Sequence, residues 1–201
     1  SLTPGEVGAL IDERLDPRDI TSTIVGLAVK EYIRIEEMKE EGFIFDKKDY
    51  YLKKLKESDA NLNSFETELM KSLFPVALPG TLISSLKNRF YTNLNQLRKT
   101  LYGELIRKKY FVSNPEMVRN LYRGIGFSIM VVGSFALLFL SPDFPIKSMI
   151  AAILTGIPVI LLAKYMPAKT KAGASAYMDI LGFQEFMNRA EKDRIERMGD
   201  V

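Results

Sequence analysis

The sequence predicts a mainly α-helical membrane protein made of a winged-helix-like α+β module, long amphipathic helices and a two-helix transmembrane hairpin. Three observations predict it. Two apolar, uncharged runs lie close together, GIGFSIMVVGSFALLFL at 124–140 and MIAAILTGIPVILLA at 149–163. Charge is sorted away from them along the chain. The first sixty residues change their hydrophobic period from helical to alternating.

The chain has 201 residues, 47% hydrophobic and 26% charged, with a net charge of +3. Residues 1–60 hold 10 Lys/Arg against 14 Asp/Glu, and residues 61–123 hold 10 against 4. Residues 124–167 hold only 2 against 1, and 168–201 hold 6 against 6. The basic block thus directly precedes the most apolar one. There is no Cys and no His, which removes disulfides, thiolate nucleophiles, Cys/His metal sites and the imidazole base together. Residues 1–25 lack a basic stretch followed by an apolar run, so no signal peptide is read there. A chain that starts at Ser1 reads as an excised piece or a processed product.

The first element follows from Thr3-Pro4-Gly5-Glu6. Thr3 caps, Pro4 takes the first helical position and Glu6 completes a capping box. Val7, Leu10 and Ile11 then line one face. Asp16-Pro17-Arg18-Asp19 repeats the signal, with Ile20, Ile24, Leu27 and Ala28 at helical spacing. Tyr32 to Glu36 alternates like a half-buried strand. Phe43-Ile44-Phe45 and Tyr50-Tyr51-Leu52 suggest a second strand region after a turn containing Gly42. Helix, helix and β-ribbon over 1–60 give the winged-helix outline. The DNA-binding form of that module needs a basic face. The 17–30 helix offers only Arg18 and Lys30 beside Asp19, so nucleic acid is disfavoured and a protein contact is favoured.

Residues 61–114 read as a helical cytoplasmic segment. Asn63 or Ser64 caps a helix from Phe65 to Leu73, with Glu66 and Glu68 in its first turn. Pro75 and Pro79-Gly80 interrupt it. Thr81 to Tyr110 is one long helical pattern, with Leu82, Leu86, Phe90, Leu94, Leu97, Leu101 and Leu105 along one face. The plain reading of that pattern is an amphipathic helix covering a core. A sharper one is inner-leaflet contact through Lys87, Arg89, Arg98 and Lys99.

Residues 115–167 make the hairpin. Asn114-Pro115-Glu116 starts a helix that nothing breaks before Leu140, so one continuous helix is expected to rise into the membrane. The spans are set at about 121–140 and 148–166, near the roughly 20 residues a bilayer core requires. Tyr122, Tyr165 and Lys164 extend the fit at the interfaces. Ser141 to Lys147 is the connecting loop, and Pro158 is expected to kink the return. Cations flank both spans, chiefly Arg119, Arg123, Lys164, Lys169 and Lys171. The loop carries Lys147 against Asp143. The positive-inside rule then puts both flanks in the cytoplasm and the loop outside. Gly126, Gly133, Ala152 and Gly156 are the candidates for close helix packing, Ala152 and Gly156 at small-xxx-small spacing. Neither span carries an internal carboxylate, so no ion path is read.

Residues 168–201 form a C-terminal cytoplasmic amphipathic helix. Lys169 to Gly173 is read as its connector. Ala176, Ile180, Phe183, Met187 and Ala190 recur at helical spacing. Balanced charge in this helix favours packing of Phe183 and Phe186 on protein over a lipid surface.

Leu2-Thr3-Pro4-Gly5-Glu6-Val7-Gly8, Asp16-Pro17-Arg18-Asp19-Ile20-Thr21 and Leu27 to Ile35 together resemble the cytoplasmic region of the YciQ-like predicted membrane proteins, a domain of unknown function. Lys169-Thr170 with Gly173, Gly182 to Phe186 and Ala190 to Arg194 look like the C-terminal signature of that family. The resemblance implies an upstream signal peptide, an extracytoplasmic β-rich domain and a further span. It also implies a glycine-rich tail, which is not seen before Val201. It transfers no catalytic residue.

The function expected is a non-enzymatic, membrane-anchored interaction or envelope-associated module. Its partners are the lipid bilayer and an unknown protein met by the cytoplasmic module. Its place is the cell membrane, multi-pass, with both ends of the chain cytoplasmic. The alternative is a membrane-tethered winged-helix regulator that binds nucleic acid. An enzyme would need carboxylate or Lys chemistry. Asp12, Glu13, Asp16 and Asp19 cluster in sequence, but Asp16 and Asp19 are explained by a helix start. No catalytic, cofactor-binding or metal-binding residue is assigned.

Overall fold

The structure is a computed structural model that describes residues 2–40, 47–75, 79–140 and 145–199. The chain divides into two compact units, Ser1–Lys108 with Tyr177–Val201, and Lys109–Ala176.

The first unit begins with two short helices, α1 (Pro4–Asp12) and α2 (Pro17–Val29). Each opens on a proline in its first turn and a capping box. Glu6 accepts from the Thr3 backbone N–H at 2.8 Å, and Asp19 accepts from that of Asp16 at 2.9 Å. Glu13 ends α1 in the left-handed region at φ 55°. Two eight-residue antiparallel strands follow, β1 (Ile33–Glu40) and β2 (Lys47–Lys54), in a register that pairs Ile35 with Leu52. Phe43 to Phe45, expected in the second strand region, lie outside the described residues. Helix α3 (Ser64–Leu73) is capped by Asn63, whose side chain accepts from the Glu66 backbone N–H.

Thr81 and Leu82 do not start the long helix. Gly80–Leu82 forms a short strand, β3, antiparallel to β2, and helix α4 runs over Ile83–Arg107. The cause is non-local. Lys54 donates its backbone N–H to the Pro79 carbonyl at 2.9 Å, which seats the segment on the open side of β2. The sheet order is β1-β2-β3.

The core of this unit joins all of these elements. Leu10, Leu27, Ile33, Leu52, Phe65, Leu69, Leu73, Leu97, Leu101, Tyr102 and Leu105 are fully buried. Each side chain of this kind contributes about 1.5–3 kcal/mol when removed from water. The expected apolar face of α4 is thus realised at Leu97, Leu101 and Leu105, and Leu86 is buried as well.

In the second unit, α5 (Pro115–Leu140) is continuous over 26 residues, as the unbroken pattern predicted. Helix α6 (Pro145–Leu162) carries Pro158 in its interior, and a 3-10 turn follows at Ala163–Tyr165. The two helices pack on each other. Residues 141–144 of the expected loop lie outside the described residues, and Lys147 is in the first turn of α6. Helix α7 (Lys171–Gly199) takes in Lys171, Ala172 and Gly173, which the sequence places in the connector. Phe183 and Phe186, expected to pack on protein, are each 65% exposed.

Candidate functional site

The α5–α6 pair meets along a seam of small residues. A Cβ on Gly126 would lie 2.6 Å from Ile160 Cγ1 and 3.0 Å from the Gly156 carbonyl oxygen. A Cβ on Gly156 would overlap Met130 and sit 2.7 Å from the Gly126 carbonyl oxygen. Gly126 and Gly156 therefore set the closest approach of the two backbones. Farther along, a Cβ on Gly133 would meet the Ala152 Cβ at an ordinary 3.5 Å, and Ala152 is buried. All four packing candidates thus fall on this one seam. The outer surface of the pair is apolar and open: Phe127, Val132, Phe135, Leu154 and Leu161 are all exposed.

A polar neck closes the base of this pair. Phe111 and Lys169 form an antiparallel bridge. Thr170 donates its backbone N–H to the Tyr110 carbonyl at 3.0 Å and its hydroxyl to the Lys109 carbonyl at 2.5 Å. The same hydroxyl accepts from the Gly173 backbone N–H at 3.0 Å, so Thr170 also caps α7. Lys109 takes the left-handed conformation, φ 60°, to turn the chain here. Gly173 sits directly on the Tyr110 carbonyl, where any Cβ would overlap it. Phe111 is buried, and the Lys169 ammonium stands 5.7 Å from its ring centroid.

The flanking cations separate into two kinds. Arg119 is only 6% exposed and is part of the packed base of α5. Lys169 is half-buried in the neck. Arg123, Lys164 and Lys171 are exposed, and Lys164 lies 4.6 Å from the centroid of the neighbouring Tyr165 ring. On α4, Lys99 is exposed and Arg98 half-buried.

In the first unit, the capping carboxylates are tied to lysines remote in sequence. Glu6 is fully buried, and Lys108 Nζ reaches its two oxygens at 2.7 and 2.8 Å. Glu66 is 1% exposed and pairs with Lys30 at 2.6 Å. Asn63 donates to the Thr3 hydroxyl at 3.4 Å, linking the two caps. Glu104, also buried, accepts from the Ser64 backbone N–H at 3.2 Å and from Arg107. Burial pushes the Glu104 carboxyl up, but the hydrogen bonds from Ser64 and Arg107 outweigh it and hold it below its ordinary value. Burial raises Asp19 above its ordinary value, against the lowering pull of the Asp16 N–H. Sequence patterns reveal such carboxylates as helix starts. Their partners, 102 and 36 residues away for Glu6 and Glu66, leave no local signal.

The acidic cluster of α1 and α2 is dispersed by these roles. Asp12 pairs with Arg18 at 3.0 Å, Asp16 and Asp19 form the cap, and the Glu13 carbonyl accepts from Tyr102. Among the described residues, no three carboxylates converge closely enough to hold a metal ion.

A family model described as "Predicted membrane protein (DUF2207) C-terminal domain" matches residues 1–199. No curated protein and no solved structure matches the chain. The chain belongs to the DUF2207 C-terminal domain family, whose members are described as predicted membrane proteins.

Proposed function

We propose that this domain is a non-enzymatic membrane anchor and protein-contact module, with α5 and α6 crossing the bilayer as a hairpin and the winged-helix-like unit held on the cytoplasmic side. One observation carries the anchor: α5 is long and apolar enough to span, yet only 6% of its most apolar stretch is buried. A core helix of a soluble protein hides most of that surface. Met149–Tyr165 is also apolar but shorter. Its pairing with α5 through Gly126 and Gly156 lets it cross beside a longer partner, and flanking Lys164 and Tyr165 extend its reach. The exposed cations Arg123, Lys164 and Lys171 favour a cytoplasmic base. The resemblance to the YciQ-like proteins fits this reading and adds an extracytoplasmic β-rich domain upstream.

A protein contact is favoured over nucleic acid by the state of α2. Arg18 is paired with Asp12 and Lys30 with Glu66. Both cations of the candidate recognition helix would have to leave carboxylates before meeting phosphate.

Topology reporters fused after residue 113, within 141–147 and after residue 201 are expected to read cytoplasmic, external, cytoplasmic. A loop reading on the same side as both ends overturns the hairpin. Photo-crosslinkers placed at exposed positions of 2–108, with the chain in its native membrane, are expected to give a discrete protein adduct. Their failure at every position overturns the contact role.

A further inference from the structure

Helix α5 carries an open groove of its own. Leu121, Ile125 and Val132 wall it, Gly124 and Ser128 keep its floor low, and Asn120 closes its lower end. A Cβ on Gly124 would meet nothing within 4 Å. Gly124 and Ser128 each stand two residues from Gly126, about 160° around the helix from it. The groove therefore opens mainly away from the seam with α6. Its walls are exposed.

The height of the groove favours an acyl chain over a helix. Gly124 to Gly133, its upper end, climbs about 14 Å. That is close to the hydrocarbon depth of one leaflet, half of a core of about 30 Å. A second helix would follow α5 on to Leu140.

Charge at the lower end selects the headgroup. Arg123 immediately precedes the apolar run and is exposed. Its Nη1 donates to Asn120 Oδ1 at 3.5 Å, which brings the guanidinium to the end of the groove. Four of its five N–H donors are left for a phosphate. Among the described residues no carboxylate pairs with Arg123. Glu116, the only acid of α5, lies about 10 Å lower along the helix. Gly126 meets Ile160 across the antiparallel pair, so Lys164 stands near the level of Arg123. Lys164 is exposed, and residues 144–176 hold no acid. A lipid phosphate neutralises Arg123, whereas a second copy of α5 only doubles the charge.

We propose that the groove holds one acyl chain of an anionic phospholipid, with the lipid phosphate on Arg123 and Asn120. This rests on the membrane reading above and names the lipid class and its site.

The chain has no Trp, so Ile125→Trp beside the groove and Leu154→Trp on the exposed side of α6 serve as single reporters. Each whole chain is placed in vesicles of phosphatidylglycerol and phosphatidylcholine at physiological salt, with one lipid or the other brominated. Comparing the two lipids as quenchers at each position cancels depth. The preference for phosphatidylglycerol is expected to be about five-fold higher at 125 than at 154, what one cation near an anionic surface supplies. Arg123→Gln is expected to bring the preference at 125 down to that at 154, and Arg123→Lys to keep most of it. Gly124→Leu with Ser128→Leu fills the groove and is expected to lower quenching at 125 alone. Should that pair disturb insertion, Arg123→Gln decides. Equal preferences at the two positions, or a preference indifferent to Arg123→Gln, overturn the lipid site. Quenching by both lipids in that case leaves the membrane anchor standing, whereas no quenching at either position removes the anchor as well. Disulfide formation between two copies carrying Ser128→Cys assigns the groove to helix pairing and overturns the lipid.

Discussion

Glu104 and Asp19 are both buried carboxylates of the first unit, yet their environments push them in opposite directions. Glu104 has donors on two sides, from Ser64 and Arg107, and its ionised form is favoured in the fold. Its pKa is depressed, so the stability it contributes is present above the unfolded value and is lost as pH falls through the folded one. Asp19 has its value raised by burial. It favours the fold while protonated, and that contribution is lost as pH rises through its folded value. Glu104→Gln is expected to destabilise the first unit by about 1–3 kcal/mol at neutral pH, with the difference shrinking toward strongly acid pH. Asp19→Asn keeps an acceptor for the Asp16 N–H and is expected to flatten the loss on rising pH. Urea titrations of the two variants across the acid range check both signs, and a Glu104→Gln deficit that grows on acidification would refute the assignment.

At the scale of elements, α5 and α6 meet through the close approach of small residues. Gly126→Ala and Gly156→Ala each force a Cβ into backbone or a neighbouring side chain. Overpacking of this kind costs about 1–3 kcal/mol. Gly133→Ala meets only ordinary contact and is expected to be tolerated. The chain has no Cys, so Gly133→Cys with Ala152→Cys gives a clean crosslink. The 3.5 Å separation of the two Cβ positions lies at the short end of the disulfide range. Oxidation should lock α5 to α6, read as a mobility shift reversed by reductant, and the pair with Gly126→Ala added should close more slowly. The small residues of this seam were legible in the sequence because close helix approach demands them. The helix starts were legible too, since Thr3, Asp16, Asn63 and Asn114 act through bonds to their immediate neighbours. The strand at Gly80–Leu82 was not. Three residues carry no period, and their conformation is decided by β2, about thirty residues earlier in the chain. The neck was missed for a related reason: Thr170 reads as connector until Lys109 and Tyr110 are placed beside it.

For the whole molecule, if α5 and α6 cross the bilayer as proposed, orientation is left to charge, because neither apolar run, 124–140 or 149–163, carries an acid or base. Arg123, Lys164 and Lys171 are exposed, whereas Arg119 is buried and Lys169 half-buried at the base. The exposed three should therefore dominate the orientation bias, each worth about 1 kcal/mol near an anionic surface. Replacing them with Gln while adding three Arg between residues 141 and 147 reverses the balance of cations across the hairpin without touching the Gly126–Gly156 seam. The positive-inside rule then predicts that the loop reporter moves toward a cytoplasmic reading in a substantial fraction of molecules. The matched variant, Gln at Arg119 and Lys169 with the same loop arginines, should shift the reporter less and instead lower thermal stability, because those two side chains are packed. If both variants shift the reporter equally, burial at the base does not sort the cations, and orientation follows net flank charge alone.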